Sequence, residues 1–191
     1  MSIKVSKPAI VQTPQEVLKD IYAPHILPDE SEDDYDDLRL SLLNDLAPKT
    51  AYQSLLAEQI VQLEWDVLRF RRLRDSLLKS EFVELAMGVF KEGKIEKICI
   101  DTPQNEAIEA ARDLVSSDPE RRQSALEKLS ETGIQPQEIM ARAYQALAKD
   151  LEQLERQIAE AEPRRSKLRE QYDRLQASAA LAIDEAEEIE K

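Results

Sequence analysis

The 191-residue chain predicts an all-α fold: two long antiparallel, coiled-coil-like helices with short helices at one end and an irregular N-terminal arm. Three observations predict it. The chain has only three glycines and 5% aromatic residues, too few for most sheets, while good helix formers dominate. No glycine or proline interrupts residues 50–87. In the last third, Met140, Tyr144, Leu147, Leu151, Leu154, Ile158, Ala161, Leu168, Tyr172 and Leu175 recur at steps of four and three, skipping only Arg165. A period near 3.5 places these side chains on one stripe of a helix, which must be covered by another helix or left in water.

Taken in order, residues 1–30 form the arm, because Pro8, Pro14, Pro24 and Pro28 forbid a long helix. Thr13-Pro14-Gln15-Glu16 reads as an N-cap, a proline at the first helical position and a reciprocal glutamate, enough for one short helix. The acidic run from Asp29 to Asp37 leads into Tyr35, Leu38, Leu42 and Leu46, a helical stripe that Pro48 closes. Acids suit a helix start because they complement its positive end. A long helix over about 50–92 follows, with Tyr52, Leu56, Ile60, Leu63, Val67, Phe70 and Leu77 as its main stripe. Val61, Trp65 and Leu68 widen that stripe, and after a one-residue shift it resumes at Leu78, Phe82, Leu85 and Val89 before Gly93.

Residues 94–135 form a short-helix insert. Ile95, Ile98 and Ile100 make an apolar cluster with room for an extended segment, and Thr102-Pro103 and Asp118-Pro119 each pair an N-cap with a proline, giving helices over about 104–116 and 119–131. Gly133 is a natural stop, and the second long helix covers about 136–180, kinked or restarted at Pro163 without reversing. Residues 31–191 thus read as one elongated helical domain in which the two rods bury their stripes on each other.

Charge is uneven, with 4 basic and 10 acidic groups in 1–48, 9 and 8 in 49–99, and 13 and 21 in 100–191. Only the middle segment faces an anion without strong repulsion. Two basic clusters stand out: Arg69, Arg71, Arg72 and Arg74, and Arg164, Arg165, Lys167 and Arg169. Antiparallel rods would bring both near mid-length, where Arg69, Arg72, Arg165 and Arg169 are the candidate phosphate-binding residues. Pairing with Glu64, Asp66 and Asp75 on a solvated face is the simpler reading for a chain of charge −13. Arg74 and Arg165 occupy seam positions and either fix helix register or reach to the rim.

Catalytic and metal chemistry lacks its parts. His25 is the single histidine, so neither a His pair for a metal nor a Ser-His-Asp or Cys-His arrangement can be built in one chain. Cys99, between Ile98 and Ile100, reads as a small buried residue and forms no internal disulfide. The acidic run lacks the glycine turn and twelfth-position glutamate of an EF-hand. Phosphate-cradling glycine loops are absent, and the turn at Gly133 imitates a helix-turn-helix only weakly, since Leu129 is bulky where such motifs need a small residue. No cofactor is expected. Without a signal-peptide core or a run of about 18 apolar residues, the expected location is the cytoplasm.

The stretches from Leu27 to Leu38, Asp45 to Pro48, Leu56 to Leu73 and Asp150 to Arg165 resemble a family of uncharacterised helical proteins from proteobacteria. The resemblance covers most of residues 27–176 and is specific around Trp65 and in Glu160-Ala161-Glu162-Pro163-Arg164-Arg165. It implies no established activity. Relatives often begin with a basic Lys-His-Gly segment, which this chain lacks, and typically have a helix former where Pro163 stands.

The expectation is therefore a non-enzymatic helical interaction or scaffold protein, self-associating or binding a protein partner through leftover seam surface and independent of membranes. Trp65, Phe70, Leu154, Ile158 and Tyr172 are its candidate contact residues. The alternative is a nucleic-acid-binding accessory of a mobile element or phage, using the four arginines.

Overall fold

A computed structural model describes residue 22, residues 25–95 and residues 105–189, except the side chains of 105 and 179–189. The expected helix after Thr13, the Ile98–Ile100 cluster with Cys99 and the cap at Thr102 lie outside these residues. Every regular element described is a helix: α1 (Glu32–Leu46), α2 (Ala51–Glu92), α3 (Asn105–Asp113), α4 (Pro119–Glu131), α5 (Pro136–Ala146) and α6 (Ala148–Ile189). No helix among the described residues is long and apolar enough to cross a membrane. The chain divides into two compact units, Met1–Leu68 with Ala159–Lys191 and Arg69–Ile158, so both long helices contribute to each.

Local chemistry sets the helix ends. Ser31 caps α1 by accepting from the Asp34 N–H at 3.3 Å, and Glu32, Asp33 and Asp34 fill the first turn, so the acidic run is a solvated helix start. Thr50 and Gln53 exchange bonds at the start of α2: the Gln53 N–H donates to Thr50 Oγ1 at 3.2 Å, and the Thr50 N–H donates to Gln53 Oε1 at 3.1 Å. Gly93 ends α2 at φ +65° and Gly133 follows α4 at φ +76°, left-handed conformations that cost a glycine little. Asp118 accepts from the Glu120 N–H at 2.9 Å ahead of Pro119, the cap expected for α4.

In the first unit, α1, α2 and α6 enclose two adjoining clusters. Leu46, Leu56, Ala57 and Ile60 surround Tyr172, while Tyr35, Val61 and Trp65 form the other, with Leu38, Leu42 and Leu43 packed alongside. Tyr52 meets Gln171 and Glu64 meets Arg165, so α2 and α6 run antiparallel here. The α6 helix passes through Pro163. Both Pro163 and Ala159, the residue whose carbonyl loses its donor, are exposed, so water can take the vacant acceptor.

In the second unit, one face of α2 carries Phe82, Leu85, Ala86 and Val89 onto Ala111 and Leu114, onto Ala125 and Leu129 of α4, and onto Ile139 and Ala143 of α5. Two expectations are corrected here. The rod expected over 136–180 is interrupted at Leu147, whose backbone (φ −97°, ψ 10°) leaves the helical region, so α5 and α6 are separate helices. The buried edge of α5 is Ile139 and Ala143, one residue off the expected seam, and Tyr144 is left 52% exposed. From Leu151 through Leu154 and Ile158 to Ala161 the seam is buried as expected. Tyr52, expected to lead the α2 stripe, is 50% exposed, because the first turn of that helix turns Gln53, Ser54 and Leu56 inward instead.

Candidate functional site

One surface groove among the described residues follows from the register of α5. Because Ile139 and Ala143 take the core, Met140 and Tyr144, one helical turn apart, flank an apolar groove of about 610 Å³ in the second unit. Leu78 and Phe82 of α2, Leu114 and Val115 after α3, and Pro136 and Gln137 of α5 complete its lining. Asp75 and Lys79, four residues apart on α2, mark the rim. Nothing in this lining is a nucleophile paired with a base. A groove of this kind takes an apolar side chain or helix face and can anchor an aromatic group in a partly dry setting.

The candidate contact residues fall elsewhere. Trp65 and Tyr172 are 2% and 1% exposed inside the first unit, and Leu154 and Ile158 are 8% and 6% exposed in the second. Four of the five are thus used in holding the chain together and offer no surface to a partner. Phe70 is half-buried. Tyr144, on the seam but not among those five, is the aromatic of the groove that reaches solvent; the signal was the adjacent apolar pair Ile139 and Ala143, which gave α5 two competing faces.

The arginines have structural partners. Arg165 and Arg169 come together in a cleft of about 350 Å³ in the first unit, but Glu64, Glu170 and Asp173 line it with them, so carboxylates outnumber guanidiniums. Arg165 Nη1 meets Glu64 Oε2 at 3.2 Å and Arg169 Nε meets Asp173 Oδ1 at 3.6 Å. Such a lining repels phosphate. Arg69 and Arg72 lie in the second unit, and each is already engaged with other residues. Arg74 donates to Glu155 and to Asp75, both at 2.9 Å, and these hydrogen bonds, Glu155 foremost, raise its pKa above the usual arginine value. Arg74 and Arg165 each join α2 to α6 by an ion pair within one unit, from partly exposed positions.

One polar device lies beyond the reach of periodicity. Arg39 of α1 and Glu58 of α2 form a two-pronged ion pair, Nε to Oε2 at 2.9 Å and Nη2 to Oε1, with side chains only 15% and 3% exposed. Burial works against the Arg39 charge, but hydrogen bonding to Glu58 and its negative field outweigh that and raise its pKa overall. Nearby, Tyr35 packs edge-on against Trp65 with ring centroids 5.3 Å apart, and its hydroxyl donates to the Tyr22 carbonyl at 3.2 Å. Burial raises the Tyr35 pKa above 10, and the Glu58 charge adds to the effect. The signal in the sequence was a glutamate set among Leu56, Ala57, Ile60 and Val61, where a charge needs a partner. No group of three or more metal-ligating side chains occurs among the described residues.

Neither a family model, nor a curated protein, nor a solved structure matches the chain.

Proposed function

We propose that the chain is a non-enzymatic helical interaction protein that self-associates through the α5 groove of its second unit. The observation that carries this reading is Tyr144, a large aromatic half in water beside an apolar groove. Tyrosine supplies much contact area at little entropic cost and is enriched among the residues that dominate interface energy. A second copy suits the groove because knob and hole share one patch, as a two-fold interface requires.

Tyr144→Glu tests it by placing a charge in the contact at an exposed position where glutamate is a good helix former. Sedimentation equilibrium is expected to show a dimer for the natural chain and association weakened at least ~30-fold for the variant, about 2 kcal/mol, with unchanged far-ultraviolet circular dichroism. A natural chain that stays monomeric at every concentration would overturn the proposal, as would a dimer indifferent to the substitution. Aspartates at Leu154 and Ile158 could not serve here, since both side chains are buried and their loss reports on folding.

A further inference from the structure

A second cleft of the same unit, about 980 Å³, gathers basic side chains from three helices: Lys79 of α2, Arg112 of α3, and Arg121 and Arg122 of α4. Gathering cations costs Coulomb energy, and a chain with 39 acids for 26 bases has carboxylates enough to neutralise them. Here they are incompletely used. Arg121 meets Asp113 at 2.7 Å, and Arg122 donates to the Ser116 carbonyl at 3.2 Å. The side chains of Lys79 and Arg112 have neither an ion pair nor a hydrogen bond to any described residue. With Arg121 and Asp113 cancelling, among the described lining residues Lys79, Arg112 and Arg122 stand against Glu84 alone, a surplus of two positive charges.

The rest of the lining narrows the ligand. Ser76 and Ser80 on α2 and Ser116 and Ser117 before α4 add hydroxyl donors around the cations. Val83, Met87 and Ile108 form a half-buried apolar floor. A phosphate monoester carries close to two negative charges at neutral pH and several acceptor oxygens, and the planar forks of two arginines suit it better than they suit a lone carboxylate. The cleft exceeds what inorganic phosphate needs and is of the size that holds whole small molecules. We infer that this cleft binds an organic phosphate, its phosphoryl group held by Arg112, Arg122 and Lys79 and its apolar body resting on Val83, Met87 and Ile108. The soluble ester of a small molecule and the headgroup of an anionic lipid present the same chemistry.

Phenyl phosphate in solution and phosphatidate-containing phosphatidylcholine vesicles are the two probes, each run on the full chain. Saturable binding of either, weakening as salt rises, is expected, and the arm that binds more tightly names the source. In the phenyl phosphate arm the amide signals of Ser80, Arg112 and Ser116 are expected to shift. Arg112→Gln with Arg122→Gln is expected to weaken binding at least tenfold, and Arg112→Gln alone several-fold, with helicity unchanged because both side chains are exposed. Tyr144→Glu is expected to retain binding, which keeps this test separate from that of self-association. Absence of saturable binding in both arms, or full binding by Arg112→Gln with Arg122→Gln, would overturn the inference.

Discussion

Trp65 and Leu129 sit at the centres of two interiors built on different plans. Around Trp65 the first unit surrounds its apolar residues with directional polar bonds. Arg39 grips Glu58, Tyr35 reaches the Tyr22 carbonyl, and the Tyr172 hydroxyl donates to the Leu46 carbonyl at 2.8 Å, where Gln176 Nε2 also donates at 3.0 Å. Around Leu129 the second unit places Phe82, Leu85, Val89, Ile139 and small alanines from several helices in contact. The first plan fixes which residues meet, because a buried charge accepts no substitute partner. The second gains mostly from area and leaves more freedom in which apolar residues turn inward. The misplaced register of α5 and the surface groove both occur in the unit built on the second plan.

The sharpest way to break this comparison is to remove one half of the buried ion pair. Glu58→Leu leaves the Arg39 guanidinium 15% exposed and without its carboxylate, and is expected to destabilise the protein by about 3–5 kcal/mol. Arg39→Met combined with Glu58→Leu removes both charges and is expected to restore stability to within about 1 kcal/mol of the natural chain or above it. Guanidinium denaturation of the three proteins checks this. If the double variant is as unstable as the single, the pair supplies net stability, and its role is more than selecting partners.

Leu129→Ala probes the other plan at comparable or somewhat smaller cost. Leu129 is fully buried, and its truncation is expected to cost about 2–4 kcal/mol through lost burial and the cavity left behind. A cost under about 1 kcal/mol would mean that the second unit collapses around the gap and is packed less tightly than its buried residues suggest.

What could be read from the sequence follows the same division. The helix class, the acidic start of α1, the ends at Gly93, Asp118 and Gly133, and the buried run from Leu151 to Ala161 were legible because caps and long periodic stripes are local. The inner face of α5 was not, because Met140 and Tyr144 alternate with Ile139 and Ala143, and only the neighbours decide which pair fits. The alanine permits close approach; the tyrosine does not. Trp65, Leu154, Ile158 and Tyr172 could not be assigned to a partner or to the chain's own core for a related reason: an apolar seam shows that something must cover it, not whether the cover comes from the same chain. Arg39 and Glu58 were illegible as a pair because nineteen residues separate them and neither belongs to a periodic stripe.

The smallest effect, and the one that most refines the comparison, lies where α1 ends. Ala47 takes a left-handed conformation at φ +47° just before Pro48, which itself disfavours the right-handed helical region for the residue before it. Its N–H still closes the helix by donating to the Leu43 carbonyl at 2.9 Å, while Tyr172 and Gln176 of α6 bond the Leu46 carbonyl. These bonds hold a non-glycine residue in a conformation that costs about 1–2 kcal/mol. Glycine removes that strain but adds about 0.5–1 kcal/mol of backbone entropy to the unfolded chain. Because Ala47 is exposed and no packing is lost, the strain term should win. Ala47→Gly is therefore expected to stabilise the protein by about 0.5–1 kcal/mol, read as a higher denaturant midpoint. A lower midpoint would show that the α6 side chains impose no strain on this turn, and that the polar bonds of the first unit follow the backbone instead of directing it.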